Sequence, residues 1–461
     1  MIRLFAAAAA AVAVACSNGS TPTSNPSPSA SATATFEASA APSPSPSLAA
    51  TPGASAGVAT PTPTSAATRE PAAPLPAAVA GALRDAATVR ELPAPPSLSV
   101  KVIPRSELPA LLDRLITAHD RDLLAKTTTL YRLLGHFSDQ QDYLSLYLSF
   151  GATGILGLYS PADDELWVVS DSGAAGLEKL SRSERETLAH ELIHAIQDYH
   201  FSLDATYSEV EDDLDRSLAF TAVIEGDAVT HEERYSERFL AVPFAGRAFL
   251  LGTPLAQAGT IPPSFIRELL FPYTTGASWV KALRERGGVQ AIDAYLKSPP
   301  SSTAVVLHPD LETEGFQPAV ATLPDLATSL GTGWSRESGG TMGEFQWRNY
   351  LQLALSSSTA SAAAAGWTGD HYDVYTGGGA SAAAFEIRFA TGAEATEFAD
   401  SHSRFLASRA KETANEGPVH IVRMAENRFT ATTGAEGTVV RFAIATTREA
   451  AVTAIRAITG S

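Results

Sequence analysis

The sequence predicts an α+β protein, with a mainly helical domain, a short sheet bordering a cleft in that domain, and a small C-terminal α+β region. Apolar residues recur at helical spacing in Leu108–Ile116 and in Leu123–Leu134. The segments Ile155–Tyr159 and Glu165–Val169 have strand-like composition on either side of a turn that contains proline. Beyond residue 380, strand and helix patterns follow one another, so we expect a further α+β region there.

Residues 1–15 are typical of a secretory signal peptide. Arg3 precedes an apolar run, and Ala13-Val14-Ala15 stands directly before Cys16. The apolar run is shorter than the ~20 residues that a transmembrane helix needs, so we expect cleavage of this segment. The segment resembles the start of bacterial lipoproteins, which implies a lipid on Cys16 and an extracytoplasmic protein held at the bacterial cell membrane. Simple secretion is the alternative, because Ala13 stands where Leu is more usual.

Composition narrows the possible sites and partners. Cys16 is the one cysteine, which excludes an internal disulfide and a zinc site made of several thiolates. Residues 16–78 are rich in Ser, Thr, Pro and Ala, and such a segment buries too little apolar surface to fold, so we predict a disordered stalk. The net charge of −17 speaks against nucleic acid or an anionic membrane surface as the partner.

Two folded regions are expected after the stalk, residues 79–330 and residues 331–461. In the first, Val100–Ile103 is a predicted strand and Asp142–Phe150 a predicted helix, while His119 and His136 are predicted to lie at the surface. Further predicted helices are Pro272–Leu283, Gly288–Leu296, Ala393–Ala407 and Glu449–Ile458. Further predicted strands are Phe385–Phe389, His420–Met424, Phe429–Thr432 and Val439–Ala445.

The run His190-Glu191-Leu192-Ile193-His194 carries the main chemical signal. Residues four apart lie on one face of a helix, so both imidazoles can reach the same cation. Neutral imidazole suits Zn²⁺, and Glu191 lies where it can take a proton from water in the remaining coordination position. A helix is favoured here because Ser181 and Glu184 have the spacing of a capping box, and no Gly or Pro follows before Asp198.

Two residues are candidates for a third metal ligand. His200 completes a spacing close to the metzincin pattern, but Gln197 stands where that pattern needs Gly to break the helix. Glu225 lies in a second apolar, helix-like run, Leu218–Val229, and a carboxylate from a second helix would complete a His₂Glu site. We favour Glu225, because its apolar neighbours argue against a solvated surface residue.

The pairing of HELIHAIQDYHF with a downstream VIEGDA resembles the gluzincin class of zinc metallopeptidases, the thermolysin-like superfamily. More closely, the chain is similar to bacterial lipoprotein-like metallopeptidases over residues 90–400. This resemblance implies one Zn²⁺ held by His190, His194 and Glu225, with Glu191 as the general base. It also implies that Glu165–Ser170 edges the cleft, where its backbone would bind an extended peptide as an added strand; a purely structural hairpin is the alternative. The stretches that carry the likeness outside the zinc motif are Gly157–Pro161, Pro272–Gly276, Ser302–Pro309 and Gly366–Asp370.

Several other residues are candidates for supporting roles. Asp198 and Asp227 lie close in sequence to proposed ligands, and a ligating His usually donates its second N–H to a carboxylate or a carbonyl, so we expect one or both to do this. The candidates for the group that stabilises a developing oxyanion are Tyr273, His231, His308 and Tyr372. The acidic segment Asp204–Asp215 is either a solvated loop, which we favour, or a Ca²⁺ site.

These observations lead to one expected function and two alternatives. We expect zinc-dependent hydrolysis of peptide bonds in extracytoplasmic polypeptides. The first alternative is a non-catalytic envelope lipoprotein, a binding or structural module that retains a zinc site. The second is a metal-dependent hydrolase that acts on a non-peptide bond, for example in cell-wall material.

Overall fold

The computed structural model describes residues 75–155, 157–173, 177, 180–241 and 261–460, all within one compact unit. The predicted signal peptide, Cys16 and the stalk as far as residue 74 lie outside the described residues. No helix in the described ranges combines the length and the apolar character that a membrane crossing requires. The described residues mix helices with two sheets, so the predicted α+β class is confirmed.

The N-terminal part is mainly helical. Its first helices are α1 (Ala77–Arg90), α2 (Leu108–Leu115), α3 (Ala118–Leu134) and α4 (Tyr143–Gly154). A capping box between Thr117 and Asp120 fixes the start of α3, and the left-handed Gly135 ends it. The predicted helices at 108–116, 123–134 and 142–150 are therefore confirmed, with α3 beginning five residues earlier than predicted.

Three strands form the smaller sheet: β1 (Ser99–Ile103), β2 (Gly157–Ser160) and β3 (Glu165–Val169). Strands β2 and β3 make the predicted antiparallel hairpin, and β1 pairs with β3 in parallel register. Strand β3 is therefore the central strand, with a neighbour on each side. Strand addition at Glu165–Ser170, one of the two roles considered for this segment, is wrong, because Ser99–Ile103 and Gly157–Ser160 occupy both sides of β3; the structural hairpin is what remains.

Two long helices follow the hairpin and meet beside it. These are α5 (Arg182–Phe201) and α7 (Leu214–Phe239), separated by the short α6 (Leu203–Ser208). The predicted capping box is present, because Ser181 Oγ accepts from Glu184 N while the Glu184 carboxylate accepts from Ser181 N. Ser202, with a left-handed φ of 51°, ends α5.

The next segment packs against α7. It comprises α8 (Pro263–Phe271), a π-helical turn (Pro272–Gly276) and α9 (Ala277–Lys297). The two predicted helices at 272–283 and 288–296 are joined in the structure by a kink at Gly288, where φ is 67°. Short helices α10 (Thr303–Leu307), α11 (Pro309–Thr313) and α12 (Ala327–Leu330) complete this part.

The C-terminal part contains a seven-stranded sheet whose paired neighbours are all antiparallel, in the order β4-β5-β6-β10-β9-β8-β7. Along β6, Phe385 and Ile387 belong to the main core, whereas Ala382 and Ala384 pack in a second core with α16. Successive side chains of a strand point to opposite faces of the sheet, so β6 contributes to a core on each side of it. The strands are β4 (Ser335–Gly340), β5 (Trp367–Gly377), β6 (Ala380–Phe389), β7 (Glu412–Glu416), β8 (Val419–Arg423), β9 (Phe429–Glu436) and β10 (Val439–Ala445). The helices are α13 (Gly343–Leu351), α14 (Ser357–Ala364), α15 (Gly392–Arg409) and α16 (Arg448–Thr459).

Candidate metal centre

Helix α5 brings the two histidines of the HExxH run together on one face. His190 and His194 lie one turn apart, and their ring centroids are 4.8 Å from each other. Only 3 % of His190 and 2 % of His194 is exposed. Helix α5 packs against both β2 and α7, so these rings point into the interior between three elements.

Helix α7 contributes Glu225 to the same place. Its Oε2 lies 3.2 Å from His190 Nε2 and 3.4 Å from His194 Nε2. One ligand atom from each of the three residues falls within 4.8 Å of the other two, so the group has the spacing to hold a metal ion. His194 Nε2 is buried without a hydrogen-bond partner among the described residues, as expected of a lone pair reserved for a cation.

Two glycines allow α7 to approach the π-helical turn next to Glu225. A Cβ on Gly226 would lie 2.7 Å from the carbonyl carbon of Gly276, and a Cβ on Gly276 would lie 2.6 Å from Ala222 O. Real Cβ atoms do not approach backbone so closely, so both positions require glycine. This contact sets the distance between Glu225 and the following segment, which carries Tyr273.

Gln197 fixes the tautomer of His194. The Gln197 amide nitrogen donates to Asp227 Oδ2 (2.8 Å) and to Ile224 O (3.0 Å), so its oxygen must face His194 Nδ1, 2.8 Å away. That oxygen only accepts, so Nδ1 carries the proton and Nε2 keeps its lone pair for a metal. Asp227 is held in turn by Arg90 Nε at 2.7 Å, and both of these side chains are fully buried.

A carboxylate orients His190 in the same way. Glu232 Oε2 lies 3.2 Å from His190 Nδ1, which leaves Nε2 directed at Glu225. Burial acts to lower the pKa of His190, but the hydrogen bonds with Glu225 and Glu232 outweigh it and raise that pKa well above its usual value. Burial acts to raise the pKa of Glu225, but the adjacent His194 and His190 lower it to about 2. Protons and a metal therefore compete for this site.

Glu191 lies beside these ligands with one oxygen held and one free. Its Oε2 accepts a hydrogen bond of 2.8 Å from the backbone N–H of Tyr159 on β2. Its Oε1 is buried and has no hydrogen-bond partner among the described residues. Burial raises the pKa of Glu191 to about 6, against the lowering effect of His194 and His190. A Cβ at position 157 would lie only 3.0 Å from Glu191 Cγ, so Gly157 lets β2 approach the carboxylate.

Two small cavities lie beside the candidate centre. One cavity touches His194 and Glu225, and another touches Glu191, Gly157 and Leu188. In each cavity, the volume that the centre of a water molecule could occupy is about 10 Å³, which is room for one water. One of these cavities therefore places room for about one water beside Glu191.

Of the four predicted oxyanion donors, Tyr273 lies at the centre. Burial raises its pKa well above the usual value, and the charge of Glu225 and a hydrogen bond to Glu225 raise it further. His231 Nδ1 instead contacts Asp227, at 2.9 Å from its carbonyl oxygen, and His308 Nε2 contacts Glu344 Oε1 at 2.8 Å. Tyr372 lies on β5 in the seven-stranded sheet. The contacts of these three residues in the described ranges are thus with residues other than His190, His194 and Glu225.

Of the two aspartates predicted to hold a ligating histidine, neither bonds to one directly. Asp198 accepts from the Tyr159 hydroxyl (2.9 Å) and from Leu203 N (2.8 Å). Asp227 reaches His194 only through Gln197. The groups that contact the histidines belong to Gln197, which lies three residues after His194 on α5, and to Glu232, which the packing of α7 against α5 brings to His190.

His200 and the acidic segment lie away from the metal ligands. His200 Nε2 contacts Pro93 O at 2.8 Å. The acidic segment forms α6 and the start of α7, where Asp215 is fully buried and accepts from Thr303 N at 2.9 Å. Burial raises the pKa of Asp215 to about 7. In the part of the chain that the structure describes, the acidic side chains of this segment make no metal-ligand group.

Sequence reasoning also missed Tyr147, on α4. Its hydroxyl is buried without a hydrogen-bond partner among the described residues, and its pKa is raised well above the usual value by burial and by the charge of Glu225. Nothing in the local sequence distinguishes Tyr147 from the apolar residues around it. Its place beside Glu225 comes from the packing of separate helices.

Residues 331–456 match a family model described as a domain of unknown function, DUF8575. No curated protein and no solved structure matches the chain. The matched range contains every strand of the seven-stranded sheet. The residues that could hold a metal, His190, His194 and Glu225, lie before that range.

Proposed function

We propose that this protein is a zinc-dependent hydrolase that cleaves peptide bonds in extracytoplasmic polypeptides. The observation that carries this proposal is Glu191 Oε1, a buried carboxylate oxygen that has no hydrogen-bond partner among the described residues and lies beside two histidines and a glutamate with metal-ligand spacing. A site that only held a metal would not need this additional carboxylate. Burying such a group unpaired is unfavourable, so a role in proton transfer explains its presence.

The donor set supports zinc as the metal. Two neutral imidazoles and one carboxylate are typical of catalytic zinc sites that keep one position open. His190 and His194 each have their Nδ1 engaged, by Glu232 and by Gln197, so their Nε2 atoms and Glu225 would hold the ion. Bound Zn²⁺ would supply Lewis acidity, which lowers the pKa of water from ~15.7 towards ~7.

The chain's own residues would handle the proton. Tyr159 N holds Glu191 Oε2, so Oε1 is the oxygen that would take a proton from the attacking water. Glu191 would then give this proton to the nitrogen of the leaving amine, so that the carboxylate is regenerated. The hydroxyl groups of Tyr273 and Tyr147 lie near Glu225 and would donate to the developing oxyanion.

The substrate class and location are proposed from the sequence. The gluzincin resemblance favours a peptide over another hydrolysable bond. The signal-peptide pattern and Cys16 favour an extracytoplasmic protein with a lipid anchor in the membrane. The acidic net charge of −17 favours a partner that is not nucleic acid.

A second candidate is a non-catalytic envelope protein in which the metal serves stability. The burial of the centre favours it, because His190, His194 and Glu225 are each at most 3 % exposed and the cavities beside them hold about one water each. In that case Glu191 would be a structural acceptor for Tyr159 N.

One variant separates the two candidates. Glu191→Gln keeps an acceptor for Tyr159 N but cannot take a proton from water, so we expect it to retain zinc and lose cleavage of a peptide library. The measurements are zinc content and cleavage by the full chain, with wild type in parallel. Wild-type cleavage by Glu191→Gln contradicts the mechanism, and a zinc-loaded wild type without any cleavage supports the structural candidate.

A further inference from the structure

A further cavity, with a polar wall, lies where the end of α3 meets the C-terminal part. The volume that the centre of a water molecule could occupy in this cavity is about 110 Å³, which exceeds the volume of either cavity beside the candidate metal centre. Its wall combines the segment after α3, the end of α15 and the connection between β8 and β9. Three of its lining side chains are arginines and one is a buried histidine: Arg132, Arg409, Arg428 and His136.

The positive charge in this cavity is only partly compensated. Arg428 pairs with Asp139, and its Nε donates to Arg132 O. Arg132 Nε donates to the carbonyl of Gln141, and the Arg409 guanidinium lies 5.5 Å from the Phe405 ring centroid. Among the described residues, Arg428 is the arginine of this cavity wall that forms an ion pair, and neither Arg132 nor Arg409 forms one. Two guanidinium groups of the cavity wall thus have no acidic partner among the described residues, in a chain of net charge −17.

His136 provides a second, independent observation that points to a ligand in this cavity. It was predicted to be a surface residue, but it is only 4 % exposed, because Tyr131 covers it with a ring centroid 4.8 Å away. Neither of its ring nitrogens has a hydrogen-bond partner among the described residues. Burial lowers its pKa to about 3, with further lowering by Arg267 and Arg409. A neutral imidazole keeps one N–H donor, and a buried donor without an acceptor is unfavourable.

We propose that this cavity binds a phosphate-type dianion, with Arg132 and Arg409 as its counter-charges and His136 as a hydrogen-bond donor. Guanidinium groups bind phosphate oxygens with paired hydrogen bonds, which a compact ammonium group does not match. The two uncompensated charges equal the charge of a dianion, whereas a single carboxylate would leave one of them unpaired. This site is independent of the proposed peptidase activity.

The site joins two parts of the chain. Arg132 and His136 lie before the range that matches the domain of unknown function, whereas Arg409 and Arg428 lie within it. An anion bound here would link the end of α3 to the seven-stranded sheet region. We therefore expect binding to stabilise the folded chain as well as to fill the cavity.

The test uses the full chain, titrated with inorganic phosphate against sodium chloride at equal ionic strength, by calorimetry and by thermal unfolding. We expect a dissociation constant tighter than ~1 mM, and Arg409→Gln to weaken binding at least ~10-fold. Arg404→Gln, an exposed arginine on the same helix, is the matched control and should bind as wild type. If Arg409→Gln loses phosphate binding and Arg404→Gln keeps it, phosphate binding at the candidate metal centre is excluded as the source of the signal.

Three results would overturn the proposal: no phosphate binding beyond the chloride control, equal binding by both variants, or acetate binding as tight as that of phosphate. Arg132→Gln carries the same expected loss, so the test does not depend on one variant folding. Unfolding temperatures in chloride alone show whether each variant is folded before titration.

Discussion

Replacing Gln197 by leucine should weaken metal binding without unfolding the protein. The change removes the acceptor 2.8 Å from His194 Nδ1, so the tautomer with Nε2 free is no longer fixed. A group that orients a ligating histidine contributes about 10–100-fold in metal affinity, which is ~1.4–2.8 kcal/mol. Asp227 keeps its hydrogen bond from Arg90 Nε at 2.7 Å, so the buried network around it remains partly satisfied.

Competition with a zinc chelator of known affinity measures this loss directly. Gln346→Leu is the matched control, because Gln346 is likewise buried, 1 % exposed against 0 % for Gln197, and lies in α13 rather than on α5 or α7. It should lower the free energy of unfolding by ~1–3 kcal/mol, the usual penalty for unpaired buried polar groups, but leave zinc affinity unchanged. Wild-type affinity in Gln197→Leu, or an equal loss in Gln346→Leu, would refute the argument from tautomer control.

Two further predictions concern packing and pH. Gly226→Ala should lower the free energy of unfolding by ~1–3 kcal/mol, because its Cβ would lie 2.7 Å from Gly276. Gly81→Ala is the control and should not destabilise the protein, because the nearest atom to its Cβ would be 3.8 Å away. Chemical denaturation of both variants measures the difference. Burial lowers the pKa of His402 to about 3, so the unfolded chain takes up a proton near pH ~6.5 that the folded chain does not. Stability should therefore fall by ~2 kcal/mol between pH ~6.5 and ~5 on account of His402, and His402→Phe should remove that part of the pH dependence in denaturation curves. A His402→Phe variant whose stability falls as steeply with pH as that of the wild type would contradict the assignment of this pH dependence to His402.

Local signals in the sequence predicted the elements that carry the metal ligands. The capping box at Ser181 and the uninterrupted run that follows define α5 within one residue of its observed start. Glu225 could be singled out because a carboxylate in the apolar run Leu218–Val229 is unusual, and the structure buries it against both histidines. In both cases the informative residues are neighbours along the chain.

Contacts between distant segments could not be predicted. The parallel pairing of Ser99–Ile103 with β3 closes the edge that was expected to be free, and no pattern within either strand encodes that pairing. The orientation of Gln197 depends on Asp227, which Arg90 holds from a helix near the start of the described chain. His136 is buried by a tyrosine and by residues of the C-terminal part. Each of these features arises from tertiary packing rather than from local periodicity.

The most direct test of the account is the metal content of the purified full chain and of its Glu225→Ala variant. Glu237→Ala, an exposed glutamate on the same helix, is the control. We predict one equivalent of zinc in the wild type and in Glu237→Ala, and strongly reduced zinc in Glu225→Ala. A Glu225→Ala chain that holds zinc as tightly as the wild type, or a wild type that binds no divalent metal, would contradict the assignment of His190, His194 and Glu225 as a metal centre.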